Sequence, residues 1–263
     1  MSGLKNLRKR VVVSSIIQKW HRSLEQNIQD SFCDIRLHEE NGSFGKLAFW
    51  MLMTLRYGIK RMIDILFSFL LVTIALPLFV GIAAAIKWTS EGPVFFRQER
   101  VGHRGRLFRI FKFRTMIVEK PNDQHRKIIQ GLINEEGAEK EDVLAGYLEY
   151  LDKRITKIGH FLRASSLDEL PQLFNVLLGN MSLVGPRPHP VYEVEEYKAW
   201  YKRRLCVKPG LTGWSKLNLR LTPKNYVEAI LYDLWYVDHW NIGLDLRILF
   251  LTVPFVLSMK DAR

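Results

Sequence analysis

Apolar positions dominate this chain most heavily over residues 62–86, where 25 positions carry one charge, Asp64, between Lys60 and Arg61 on one side and Lys87 on the other. About 20 apolar residues suffice to cross the ~30 Å hydrocarbon core of a bilayer, so the stretch predicts a helix in lipid rather than the core helix of a soluble protein. Basic residues at both ends pull both toward the cytoplasm. Pro77, near the middle, removes a backbone hydrogen bond and bends the helix. A helix that enters, kinks at Pro77 and returns to the same face satisfies both facts; a spanning helix with a mild kink is the alternative. Residues 47–59 are apolar but too short to span, and predict a surface-lying helix. Residues 244–259 are apolar too, yet their 16 positions include Asp245, Arg247 and Pro254, which places them in the membrane interface.

A period of two takes over in residues 92–116. Aromatic and β-branched runs flank Gly102-His-Arg-Gly105 and predict a hairpin. Its second strand alternates Phe108, Ile110 (or Phe111) and Phe113 with Arg109, Lys112 and Arg114. Helical spacing returns after Arg163, where Leu170, Leu173, Phe174 and Leu177 form a stripe and Pro171 fits only an early turn. With Asp168 as N-cap, Asp168 and Glu169 lie at the positive end of the helix dipole, which favours ionised carboxylates and bound anions. A capped helix with an acidic first turn is the plain alternative. Residues 191–205 and 225–240 predict charged and aromatic helices, and residues 208–214 are turn-rich. Residues 179–190 form a proline-stiffened loop that holds Arg187 at low entropic cost, with His189 expected at the surface. The fold class that results is mainly α with a small β-hairpin: a monotopic membrane protein with a re-entrant kinked helix and interfacial amphipathic helices.

Charge narrows the partners. The chain has 263 residues and a net charge of +12, which calls for nucleic acid, phosphorylated small molecules or an acidic membrane surface. Arg97, Arg100, Arg104, Arg106, Arg109, Lys112 and Arg114 concentrate that charge on the hairpin against a lone Glu99, and guanidinium groups match phosphate oxygens in pairs. Cys33 and Cys206 make no disulfide framework, suit a reducing compartment and are expected as packed thiols. Residues 1–22 are basic around an apolar run broken by two serines. No small-residue cleavage site follows, which argues for a basic interfacial helix over a secretory signal. Three regions emerge: an N-terminal extension (1–57), a re-entrant membrane helix (58–90) and a C-terminal domain (91–263), the candidate for any catalysis, in which 117–152 is a variable acidic insertion.

Five ordered motifs then stand out: Lys60-Arg-Met-Ile-Asp64, Lys112-Phe-Arg-Thr-Met116, Arg163 with Ser166-Leu-Asp-Glu-Leu-Pro-Gln-Leu173, Gly185-Pro-Arg-Pro188 and Pro209-Gly-Leu-Thr-Gly-Trp214. On these motifs residues 58–259 resemble the bacterial sugar transferases, also called monotopic phosphoglycosyl transferases or polyprenyl-phosphate hexose-1-phosphate transferases. The resemblance implies a bacterial inner-membrane enzyme with its catalytic domain on the cytoplasmic face. It implies transfer of a sugar 1-phosphate from a UDP-sugar to polyprenyl (undecaprenyl) phosphate, the first membrane step of polysaccharide or glycoconjugate assembly. By matching position, Asp168 is the expected nucleophile and Glu169 the Mg²⁺ ligand. Arg163 is expected at the acceptor or sugar phosphate, Pro186, Arg187 and Pro188 at the nucleotide, and Lys112 and Arg114 complete the substrate-binding set. The implied partners are a UDP-sugar, polyprenyl phosphate and membrane lipid, with no nucleic acid; the N-terminal helices could mediate a homodimer.

The chain departs from the family pattern at Leu219, where glycine is common, at Asn180, where aspartate is, and at Leu76, where some members place serine. The chemistry also stands without the resemblance. A carboxylate can attack phosphorus to form an acyl-phosphate, Mg²⁺ takes one or two carboxylates beside phosphate oxygens, and arginines stabilise the charge of the transition state. Acid–base glycosidic chemistry fits poorly, because it needs two carboxyls on opposite sides of a bond. A membrane-tethered basic protein that binds nucleic acid or acidic lipid is the alternative from another class. Such a binder gains nothing from Asp168 and Glu169 amid arginines. No segment encodes the configuration of the sugar.

Overall fold

The computed structural model of the chain describes residues 43–117, 152–219 and 225–257; the expectations for residues 1–42 and 118–151 lie outside them. The two predicted N-terminal helices are one. Helix α1, Ser43–Thr89, runs 47 residues with Pro77 inside it. Its buried positions Asp64, Ser68, Phe79, Ile82 and Ile86, joined by Val72 and Ala75, recur every three or four residues and so share one face of a helix. The other faces expose Leu66, Phe69 and Ile74 to 64, 66 and 67 %. Met51–Thr89 is long and apolar enough to cross a membrane, and 17 % of its most apolar window is buried. A soluble core helix would be mostly buried, so this outer surface calls for lipid or a partner.

The charged end of α1 is joined to the rest of the protein. The Arg61 guanidinium donates to the carbonyls of Val176 at 2.6 Å and Leu177 at 2.8 Å. Lys60 reaches Asp245 at 2.6 Å, and Asp64 accepts from Ser182 Oγ at 3.0 Å and from the Leu183 amide at 2.9 Å. Lys60 and Arg61 are therefore occupied with protein rather than with lipid headgroups, and they carry less topological information than the sequence suggested.

The predicted hairpin is present. Strand β1 (Phe95–Val101) pairs antiparallel with β2 (Leu107–Phe113) around a turn at His103–Gly105. Phe108, Ile110 and Phe113 point into the core and Arg109 points out. Helix α2 (Lys157–Ala164) follows, its first turn capped by the Thr156 hydroxyl, which accepts from the Gly159 amide at 3.0 Å.

The predicted helix beginning at Asp168 is broken into two pieces. Ser166 takes a left-handed conformation (φ 56°), Leu167–Glu169 form a 3-10 turn, and helix α3 (Gln172–Leu177) starts with Pro171 as its N-cap. Asp168 therefore caps nothing. Proline has no N–H to offer a preceding turn, so the α-helix proper begins only after it.

Strands β3 (Ser182–Val184) and β4 (Gly210–Thr212) form a short parallel pair that the sequence did not announce. The predicted helix over 191–205 also splits, into α4 (Val191–Glu195) and a 3-10 stretch Ala199–Cys206. Cys206 is disulfide-bonded, which corrects its reading as a thiol. Helices α5 (Trp214–Asn218), α6 (Tyr226–His239) and α7 (Ile242–Leu257) complete the fold. The central core joins Phe108 and Ile110 of the hairpin to Leu173 and Val176 of α3, Leu183, Tyr236 and Ile248. Each fully buried aliphatic there contributes about 1.5–3 kcal/mol. A second cluster seals Phe79, Ile82 and Ile86 of α1 against Phe113 and Leu162.

Candidate active site

Strand β2, the Leu167–Glu169 turn, the loop after β3 and helix α5 enclose a cavity of about 300 Å³. Of the site residues that the resemblance implies, Lys112, Arg163, Asp168, Glu169, Arg187 and Pro188 meet there. Two others do not line it. Arg114 is buried and donates to the carbonyls of Glu91 (2.6 Å) and Ser90 (2.7 Å), just past the end of α1. Arg114 lies one residue past the end of β2, so the strand's alternation does not carry it to the face of Lys112. The Pro186 carbonyl accepts from the Gly210 amide at 2.8 Å, so Pro186 shapes the loop.

Glu169 is the most tightly held group. Lys112 Nζ lies 2.7 Å from its Oε1, and Lys216 Nζ lies 2.7 Å from its Oε2. Burial alone would raise its carboxyl, but the two ammonium groups override burial and hold it well below the usual carboxylate range. Asp168 behaves in the opposite way. Burial raises it, the Glu169 charge adds to the rise, and Lys112, 3.9 Å away, only partly offsets it. The neighbours thus form an unequal pair: one firmly ionised and paired, the other desolvated and more basic.

A buried polar network stands behind Arg187. Arg204 donates to the Arg187 carbonyl at 2.7 Å and to Tyr197 Oη at 2.6 Å, and it pairs with Asp233. Asp233 also accepts from Ser215 Oγ at 2.6 Å and from the Arg187 amide. One ion pair therefore fixes both backbone groups of Arg187 and the helix that bears Lys216. Arg100 adds a bond to the Pro188 carbonyl at 3.0 Å. His189 is not at the surface. It is buried against Tyr197, Tyr226 and Glu193, and burial followed by the Arg204 charge lowers its pKa to about 3.

Sequence reasoning missed Lys216, Arg204 and Asp233. A lone acid within the apolar run of α6 was the available signal for Asp233. Lys216 lies just past the turn-rich segment 208–214, where the sequence suggested no element.

Among the described residues no group of three or more His, Cys, Asp or Glu could hold a metal. Asp168 and Glu169 are oxygen donors, and each Glu169 oxygen keeps a second acceptor direction beside its lysine. That set fits Mg²⁺, which takes one or two carboxylates and completes its shell with phosphates and water.

Residues 55–259 match the bacterial sugar transferase family. The chain belongs to that family. Relatives of the chain include the UDP-glucose:undecaprenyl-phosphate glucose-1-phosphate transferases of Klebsiella pneumoniae, 44 % identical over 74 % of the chain and 39 % of the relative, and of Xanthomonas campestris pv. campestris, 46 % identical over 71 % and 36 %. The undecaprenyl-phosphate galactose phosphotransferase of Salmonella typhimurium is 37 % identical over 78 % of the chain and 41 % of its own length. The chain thus spans about two-fifths of the length of these curated relatives. Its cavity joins the Asp168–Glu169 pair to five cationic side chains, Arg100, Lys112, Arg163, Arg187 and Lys216, a lining suited to an anionic ligand.

Proposed function

We propose that this chain transfers a sugar 1-phosphate from a UDP-hexose to polyprenyl (undecaprenyl) phosphate on the cytoplasmic face of the bacterial inner membrane. The observation that carries the reading is the Asp168–Glu169 pair, held by Lys112 and Lys216 in the cavity that Arg163 and Arg187 also line. An Asp168 oxygen attacks the β-phosphorus of the donor, the bond to the α-phosphate oxygen breaks, and UMP leaves with the electron pair. The phosphate of the polyprenyl acceptor then attacks the same phosphorus, releases the Asp168 carboxylate and forms the sugar-diphosphate lipid. A desolvated carboxylate of raised basicity suits attack, and the flanking cations stabilise charge on the phosphoryl oxygens. Glu169, with Asp168 beside it, would hold Mg²⁺, which supplies charge neutralisation to the diphosphate when bound. A basic binding protein without catalysis leaves the unequal carboxylate pair unexplained.

Re-entry of α1 at the membrane belongs to the same proposal, and two features support it. One turn before Pro77, the Thr73 hydroxyl bonds back to the Phe69 carbonyl at 2.9 Å, a contact that bends helices and adds to the proline's effect. Both halves of α1 also bear on the same short helix α3. Arg61 holds the Val176 and Leu177 carbonyls, and the Phe79 ring meets Phe174 at 5.7 Å. A straight crossing would drag the polar site into the hydrocarbon. The apolar outer side of α7, with Phe250 78 % exposed, supports a second interfacial contact.

The test supplies UDP-glucose or UDP-galactose, Mg²⁺ and undecaprenyl phosphate to detergent-solubilised protein and measures UMP. Release by the wild type and its loss in Asp168→Asn are the expected results. No UMP with any UDP-sugar of a common panel would overturn the proposal.

A further inference from the structure

Lys216 belongs to none of the chemistry-bearing motifs, yet its ammonium pairs with Glu169 Oε2 as closely as Lys112 pairs with Oε1. The two lysines differ in setting. Lys112 comes from a paired strand and also faces Asp168 at 3.9 Å, so it serves both carboxylates. Lys216 stands on α5, and its hydrogen bond among the described residues is to Glu169. The backbone beneath it is pinned, because the adjacent Ser215 bonds Asp233 at 2.6 Å. A fixed base with a flexible four-carbon stem lets the charge swing while its attachment stays still. That charge occupies the Oε2 of Glu169, and the cavity that Lys216 lines is where a diphosphate would offer it new oxygens.

We propose that Lys216 is an exchangeable counter-ion of Glu169, held on Oε2 until the donor's diphosphate draws it off, so that donor and divalent cation load together. The inference rests on the reading of Glu169 as the Mg²⁺ ligand. By linkage, a donor that removes the competing charge raises the affinity for the cation, and the cation raises affinity for the donor by the same factor.

The test titrates the full detergent-solubilised chain with Mn²⁺ alone, with free Mn²⁺ counted by electron paramagnetic resonance. Uridine diphosphate binding is measured separately in EDTA by calorimetry. Lys216→Met and Lys216→Gln should bind Mn²⁺ on the order of tenfold more tightly than wild type, the scale expected on deleting one partly screened unit charge. Both should bind metal-free uridine diphosphate more weakly, while Lys216→Arg keeps the wild-type Mn²⁺ affinity. These opposed shifts are not what a loosened fold produces, and equal melting temperatures of the variants check that directly. Equal Mn²⁺ affinity in wild type and both neutral variants would overturn the proposal. So would unchanged uridine diphosphate binding, since Lys216 would then only block the carboxylate. If no form binds Mn²⁺ while Asp168-dependent UMP release persists, the metal reading of Glu169 falls, and the counter-ion exchange falls with it.

Discussion

Asp168 and Glu169 are chain neighbours, yet the protein pushes their carboxyls in opposite directions. Asp168 is raised, chiefly by burial, so its folded form binds a proton more tightly than its unfolded form does. Its contribution to stability is intact at low pH and becomes a cost as pH climbs through the raised value. Asp168→Asn removes that cost: UMP release should vanish while the melting temperature at neutral pH rises by about 1–3 °C. The same shift fixes the acid side of the rate profile. Activity should fall with one-proton slope as pH drops through the Asp168 pKa, at a pH above the ordinary aspartate range, and a pH series of kcat/KM reads it. Glu169 is lowered and has the converse sign: its stabilisation is present above the unfolded glutamate value and disappears in acid as the pH falls through its folded value. The identity of this pair was legible in the sequence because two acids among arginines are chemically odd. Their inequality was not, because it arises from the burial of Asp168 and from Lys112 and Lys216, which close on Glu169 from 57 and 47 positions away in sequence.

At the scale of elements, short pieces hold the site and long ones support them. Asn175 of α3 is fully buried; its side chain accepts from the Phe111 amide at 2.9 Å and donates to the Arg109 carbonyl at 2.8 Å, thereby continuing the ladder of β2 beside Lys112. Asn175→Ala strands both backbone groups and should cost about 2–3 kcal/mol, read as a lower denaturant midpoint. The β3–β4 pair is equally tight. A Cβ at Gly210 would stand 2.1 Å from the Gly185 amide nitrogen, so Gly210→Ala must push the Arg187 loop outward. That variant should lose more than about 2 kcal/mol and most of its UMP release. The hairpin, the long apolar helix and α6 could be read from periodicity, since each repeats its pattern for seven residues or more. The three-residue strands are too short to show a period, and the break at Ser166 depends on a left-handed backbone that serine does not advertise.

Across the whole molecule, the apolar outer face of α1 and the charged cavity must be served from one side of the membrane if the proposed topology is right. Single cysteines placed at Met51 and at Trp88, both exposed, should each resist a membrane-impermeant thiol reagent added to intact cells and react with it after lysis. Labelling of one site from outside would show a crossing helix. Composition revealed the apolar helix, because 25 residues carry a single charge. It did not reveal the stripe by which the same helix packs on the catalytic core, since an inward apolar face is invisible on a helix that is apolar all round.

The bonds from Lys60, Arg61 and Asp64 into the core bear on how such an enzyme can be divided. A fragment starting at Gly92 would leave Asp245 without its cation, two carbonyls at the end of α3 uncapped and the Leu183 amide bare. Trimming away the greasy segment to obtain a tractable soluble enzyme should therefore yield an unstable fold, and grafting on a foreign anchor should not rescue it. On the proposed topology, the apolar helix is a structural member of the folded body rather than its tether.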